Sequence, residues 1–390
     1  MRVSVIGCLL LILMLLTGCW DRIEVNDVAF VMGSAIDKEG DKYRATIQIA
    51  LPGQLGGSKG GGGGTSGKEG WYIDSRTAKT VRQANSLQQK GISRRLNFSH
   101  RRTILVGEEL AREGIEPIMD VLARIPQNRL TSLVIVSRGP AVHVLGTKTS
   151  IEMFSSESLR ELAIVSMKVP RTLKNTINVM LMEGVDLVLP AVNVTKTNTA
   201  QGVKSQQTIR MDGIAVFSDN KLAGFLDGEE ADGVLWAMGQ AKEPEVSIQA
   251  PDGSGEITAQ FLHYRTILEP RIQGDTISFR IIVHAIGTIL ENESKYELSN
   301  HSHIEAFEAK MKQKIEKDIK SGIQKMQKLK SDGVGFGRML HTKRPAVWKA
   351  YKSKWRQLYP EISIEAHAEV DIENIGSVTK PFARKEKEIK

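Results

Sequence analysis

A mainly apolar run over Val28–Ala35 and an alternation of apolar and polar positions along Tyr43–Leu51 lie on either side of Asp37-Lys38-Glu39-Gly40-Asp41. A period of two puts successive side chains on opposite faces, so this pattern predicts a β-hairpin with its turn at 37–41. From Thr77 to about Lys90 the spacing becomes helical, Arg102–Val106 reads as a short apolar strand, Ile115–Arg124 as a helix and Leu133–Val136 as a buried strand. Strands alternating with helices of this length predict a layered α/β architecture.

The second half reads differently. Thr208–Phe217 and Leu222–Leu226 flank an Asp219-Asn220 turn, and Glu229–Met238 follows as a short helix. Ile257–Thr266 and Ile277–Ile289 are long strands, expected as neighbours in an antiparallel sheet with one covered face. Ile304, Phe307, Met311, Ile315, Ile319, Ile323 and Met326 recur every three or four residues, which predicts one long amphipathic helix packed on that sheet. A last strand alternates Ile362, Ile364, Ala366, Ala368, Val370 and Ile372 with a wet face of Ser363, Glu365, His367, Glu369 and Asp371. Between helix and strand lies Gly333-Val334-Gly335-Phe336-Gly337-Arg338, then a helix carrying Trp348, Tyr351, Trp355 and Tyr359. Those glycines do not match Gly-x-Gly-x-x-Gly and follow a helix instead of a strand, so they predict no nucleotide site, and the aromatic stripe reads as core.

Two stretches interrupt the periodic pattern. Residues 53–70 are dominated by glycine and cannot bury apolar surface, so they read as a flexible loop. Within them Gly56-Gly57-Ser58-Lys59-Gly60 formally fits Gly-x-Ser-x-Gly, but it lacks the apolar strand and the helix that an active serine needs on its flanks. The polar stretch 193–207 reads as the main division. The expected organisation is a leader over 1–18, a tether over 19–26, an N-terminal α/β region over 27–200, a C-terminal α/β domain over 206–377 and a basic tail over 378–390. The predicted fold class is α/β in the broad α+β sense, multi-domain, with mixed or antiparallel sheets each covered by helices.

The leader changes the picture most. Arg2 precedes a fourteen-residue, uncharged and mainly apolar run over 3–16, then Leu16-Thr17-Gly18-Cys19. A charged start, a short apolar core and small residues before a cut site are the parts of a secretory signal, and the core is short of the roughly 20 residues that span a bilayer. Leu-Thr-Gly-Cys resembles a bacterial lipobox, in which the cysteine sulfur takes a diacylglycerol and becomes residue one of a lipoprotein. Cys19 is thus the predicted lipidation site, carrying an N-palmitoyl and an S-diacylglycerol group. Two or more acyl chains hold a protein on a membrane without spanning it. The only other cysteine, Cys8, lies inside the leader, which leaves no thiol for a disulfide, a metal or nucleophilic catalysis.

Charge adds a mild basic excess. Lys and Arg number 53 against 45 Asp and Glu, a net charge of +8 that falls to +7 when Arg2 leaves. Lys310–Lys330 holds eight lysines and Lys380–Lys390 five basic residues against two acids. Such runs are solvated faces first, and near an anionic membrane they add attraction. Nucleic acid is not an expected partner of an exported chain.

Beyond the lipobox, the chain resembles the Ger(x)C family, the lipoprotein C subunits of nutrient germinant receptors in endospore-forming bacteria. Cys19-Trp20-Asp21-Arg22-Ile23-Glu24-Val25-Asn26 is similar to the family's opening, followed at its spacing by Val31-Met32-Gly33-Ser34-Ala35-Ile36-Asp37. Ile104-Leu105-Val106-Gly107-Glu108-Glu109-Leu110-Ala111 with Gly114, and Leu222-Ala223-Gly224-Phe225-Leu226 leading to Glu229 and Leu235-Trp236, extend the resemblance. It closes with Asp332, Gly335-Phe336-Gly337, Trp348 and Trp355. The glycine-rich stretch 53–70 departs from the pattern. The resemblance implies a three-domain, non-enzymatic subunit without cofactor or metal, held on the outer face of the cell membrane, which in spores is the inner spore membrane. It also implies work with an A subunit and a transporter-like integral B subunit.

Two other readings compete. A solute-binding lipoprotein of an importer uses the same anchor, but its lobes need doubly wound parallel sheets. An enzyme needs a constellation of groups. His301 and His303 lack a third ligand nearby, and Glu229, Glu230 and Asp232 sit where a helix dipole favours acids anyway.

Overall fold

The computed structural model describes residues 24, 27–51, 70–149, 151–200, 204–274, 276–298 and 300–374. In chain order the elements are β1 (Val28–Glu39), β2 (Lys42–Ala50), β3 (Trp71–Ala78), α1 (Val81–Gly91), β4 (Arg95–Asn97), β5 (Thr103–Gly107), α2 (Glu108–Glu113), α3 (Glu116–Arg124) and β6 (Leu133–Ser137). There follow α4 (Ala141–Leu145), α5 (Ser155–Ser166), α6 (Leu173–Met180), β7 (Val188–Lys196), β8 (Gln207–Ser218), β9 (Lys221–Leu226), α7 (Gly228–Ala237) and β10 (Glu245–Gln249). The rest are β11 (Glu256–Gln273), β12 (Thr276–Asn292), α8 (His301–Lys328), α9 (Phe336–Lys343), α10 (Pro345–Tyr351), α11 (Trp355–Leu358) and β13 (Ser363–Asn374).

The first sheet has the order β3-β2-β1-β5-β6-β7-β8-β9, with β4 beside the start of β1. Its centre, β1-β5-β6-β7, is parallel, and antiparallel hairpins extend both sides. The central strands are sealed on both faces: every residue of β5 and β6 is buried, as a parallel sheet between helical layers requires. One face packs α1, α2 and α3 around Ile104, Val106 and Val134; the other packs α4 and α5 around Leu105, Ile135 and Leu159. The fold is therefore the expected mixed α/β.

The polar stretch 193–207 itself takes part in the pairing: β7 pairs antiparallel with β8 from Val188↔Val216 to Lys196↔Gln207, and the first sheet closes with β9. Two expectations need correction. Thr77 and Ala78 end β3, a strand the helical spacing concealed, and the helix begins at Val81 behind the Thr80 cap, whose side chain accepts from the Gln83 amide. Asp37 lies within β1, not in the turn, which is Gly40-Asp41.

Asp37 shows how helices unseen in the sequence are held. Its buried carboxylate accepts the Ala141 and Val142 amides at 2.6 and 3.0 Å, supplying to α4 the N-terminal cap that Pro140 cannot. Gly107 has to be glycine here, because a Cβ would lie 2.0 Å from the Asp37 Oδ1. Gln48 does the same for α5, accepting the Ser156 amide at 3.1 Å and donating to the Ser155 hydroxyl at 2.9 Å. Both caps come from β1 and β2, about a hundred residues away, and no local capping signal marks either helix.

The second sheet runs β10-β11-β12-β13, with β11 and β12 as a long antiparallel hairpin and β13 parallel to β12. Helix α8, some 42 Å long at about 1.5 Å per residue, lays Phe307, Met311, Ile315, Ile319, Ile323 and Met326 on it. Its cap is Asn300, which accepts from the Ser302 amide at 3.0 Å. On the same helix, Glu308 and Glu316 accept the Ile372 and Ala368 amides at 2.7 and 2.9 Å. The match is metric: eight helical residues rise about 12 Å, and four strand residues about 13 Å. The outer edge of β13 is thereby covered, where a bare edge invites pairing with another chain.

Candidate functional site

The two sheets meet along the segment 183–187 that enters β7. Gly184, at φ +77°, lies so close to α9 that a Cβ on it would stand 2.5 Å from the Gly337 carbonyl carbon. A Cβ on Gly337 would in turn meet Trp348 and Trp355, each at 2.8 Å. The Arg338 amide donates to the Gly184 carbonyl at 2.5 Å, and the Asp186 amide to the Asp332 carbonyl at 2.9 Å. Backbone lies against backbone because neither glycine has a side chain to separate them.

Asp332 organises the far side of this joint. Fully buried, its Oδ1 accepts the Gly335 and Phe336 amides, both at 2.9 Å, and its Oδ2 accepts the Gly337 amide at 2.7 Å and the Trp355 indole N–H at 2.9 Å. Burial outweighs these four donors and raises its carboxyl to about 6. Asp186 accepts the Asp332 amide at 2.8 Å and the Asp219 amide at 3.1 Å, and burial raises its carboxyl too. Arg356 reaches Asp219 at 2.5 Å and Asp186 at 3.3 Å, and Trp348 donates its indole N–H to Glu183 at 2.9 Å. The Trp348 bond, then Lys352, hold the Glu183 carboxyl below its ordinary range.

Around these groups opens a groove of about 460 Å³ lined by Met180, Met182, Trp348, Trp355 and Tyr359 among others. Among the described residues the buried Tyr359 hydroxyl has no hydrogen-bond partner, and desolvation raises its pKa. Each carboxylate in the groove already accepts from an amide, an indole or Arg356. The site is a joint at which the second sheet and its helices are fixed against the first.

The residues singled out in the sequence fall as follows. Cys19, the opening motif Cys19–Asn26 apart from Glu24, and Gly56–Gly60 lie outside the described residues. Trp348 and Trp355 are core, with rings 5.6 Å apart, and Gly335 opens α9 at φ +90°. His301 is 88% exposed beside Glu305, whereas the His303 ring stacks on Tyr296 at 4.5 Å, with its Nδ1 2.7 Å from the Glu297 carbonyl. Glu229 pairs with Lys314, which also binds Asp318 at 2.8 Å; burial raises the carboxyls of Asp232 and Asp318. Among the described residues no group of three or more His, Cys, Asp or Glu side chains is arranged to hold a metal, and no helix is long and apolar enough to cross a membrane. Asp186 and Arg356 gave no sequence signal, because each reads as a polar residue of a loop or short helix.

Known proteins match along nearly the whole chain. The pattern described as the spore germination protein N-terminal domain matches residues 21–194, and that described as spore germination B3/GerAC like, C-terminal, matches residues 212–376. The putative spore germination protein YfkR of Bacillus subtilis (strain 168) is 37% identical over 98% of this chain and 100% of its own length. Spore germination protein KC of the same organism is 27% identical over 96% and 97%. The crystal structure of the GerBC protein superimposes with a TM-score of 0.55 at 21% identity, covering 88% of this chain and 97% of that one, a likeness of fold.

Proposed function

This chain belongs to the family of spore germination proteins built from those N- and C-terminal domains, and from that premise we propose that it is the lipid-anchored C subunit of a nutrient germinant receptor. The observation that carries the reading is full-length similarity to spore germination proteins combined with the sequence Leu16-Thr17-Gly18-Cys19. In this reading Cys19 is cleaved and acylated, the body stands on the outer face of the membrane, and the protein acts without chemistry of its own beside integral A and B subunits.

The joint supports that role. Its carboxylates and indoles bind one part of the chain to the other, so the two sheets offer their outer surfaces to partners as one framed body. A germination signal passing through such a subunit is carried by contact, not by turnover.

The test is germination of spores lacking the gene, scored nutrient by nutrient and against a cationic surfactant that bypasses receptors. Loss of response to one nutrient set with the surfactant response intact supports the receptor reading. Unchanged nutrient responses in a strain stripped of its other receptors sink it.

A further inference from the structure

From Arg338 to Pro360 the chain carries seven Lys and Arg residues and no Asp or Glu. The helices α9, α10 and α11 sort this segment by depth. Phe336, Leu340, Trp348, Trp355 and Tyr359 point inward as core, so the cations between them are driven outward. Arg356 is spent on Asp186 and Asp219, and Lys352 stands 3.8 Å from Glu183. Lys343, Arg344, Lys349 and Lys354 are exposed and form no ion pair among the described residues. On α8, Lys310 donates to the Ala250 carbonyl, Lys312 faces Glu316 and Lys314 is held by Glu229 and Asp318, while Lys317, Lys320 and Lys328 are exposed on the helix that covers the second sheet.

Topology says which way this basic face looks. Strands β1, β5, β6 and β7 are parallel, with Gly33 level with Thr103, Thr103 with Leu133, and Val136 with Ala191. All four therefore start at one end of the first sheet. Asp186, which binds Arg356, lies two residues before β7, so the basic helices sit beyond that end. The chain enters β1 at the same end, at Val28, nine residues after Cys19. Nine residues reach about 30 Å at most.

We infer that the exposed face of α9–α11 around Lys343, Arg344, Lys349 and Lys354 docks on an anionic phospholipid surface and sets the orientation of the anchored body. The inference rests on the proposed anchor at Cys19, which places a membrane at this end of the molecule. An acyl anchor alone leaves the body free to tilt about its tether. A cluster of unpaired cations beside the tether draws one face down, by an attraction that acts within a Debye length and weakens with salt.

The test uses the lipidated full-length chain on vesicles of phosphatidylcholine, with or without phosphatidylglycerol, read by amide hydrogen exchange and by flotation. Expected are flotation with both vesicles, and slowed exchange over residues 339–358 on the anionic vesicles alone, reversed by high salt. Replacing Lys343, Lys349 or Lys354 with Gln is expected to lower the docked-to-undocked ratio roughly fivefold per lysine, with an unchanged melting temperature. Failure to float on neutral vesicles overturns the anchor and leaves the basic face to be judged by binding to anionic vesicles. Equal exchange on both vesicles by a floating protein overturns the lipid assignment and points to an acidic protein surface instead.

Discussion

The Asp332 carboxylate accepts the indole N–H of Trp355 at 2.9 Å, joining the loop after α8 to the aromatic helix 23 residues further on. The same oxygen takes the Gly337 amide, so one buried acid fixes both the start of α9 and the ring that packs over it. Asp186 extends the contact into the first sheet through the Asp332 amide. A single line of hydrogen bonds thus crosses the joint from β7 to α11.

The acid's environment sets a pH dependence. Because burial raises the Asp332 carboxyl from 3.8 to about 6, the native protein holds a proton between those values that the unfolded chain has released. This group's contribution to stability falls as pH rises from about 4 to about 6, by about 3 kcal/mol in all. Asp186, also raised, acts in the same direction. Asp332→Asn should flatten that part of the curve, measured as denaturant midpoint against pH, while lowering stability at neutral pH by about 3 kcal/mol, because its NH₂ then faces donors. A variant that keeps the wild-type slope would assign the titration elsewhere.

Gly337→Ala is expected to destabilise by about 1–3 kcal/mol, since the added methyl meets Trp348, Trp355 and Gly184 and the joint has to open. Combined with Asp332→Asn, its effect should fall short of additive, because both changes break the same contact. Chemical denaturation of the two single variants and the double variant measures this, and full additivity would contradict a shared joint.

Glu308 and Glu316 protect an edge. Replacing both with Ala should speed amide exchange at Ile372 and Ala368 about tenfold each, the loss of a hydrogen bond to a charged acceptor. Site-resolved exchange reads this directly. The uncovered strand should also raise self-association, visible in sedimentation.

Cys19→Ala should accumulate as an uncleaved precursor that takes up no labelled palmitate, with nutrient germination impaired. Gel mobility and lipid labelling decide it. Normal labelling of the variant would remove Cys19 as the anchor.

Much of the fold was legible because its elements announce themselves by period. The long helix α8, the β11–β12 hairpin and β13 each keep their apolar spacing for ten residues or more, and a local period needs no knowledge of the partner. Helices α4 and α5 were not legible, since their caps come from Asp37 and Gln48 on distant strands. That β7 and β8 pair across the polar stretch 193–207 was not legible for a similar reason: a polar hairpin tip and a domain linker have the same composition. Only pairing of β7 with β8 distinguishes them.

By itself the sequence determined the family of the protein, through the order of short motifs. It also determined which face of each long element turns inward, because apolar spacing acts residue by residue. Tertiary structure alone decided where the two sheets join, which carboxylates are buried there, and which lysines remain free to meet a surface. Those outcomes depend on residues far apart in the chain, such as Asp186 and Arg356, whose meeting arises only when the backbone brings them together.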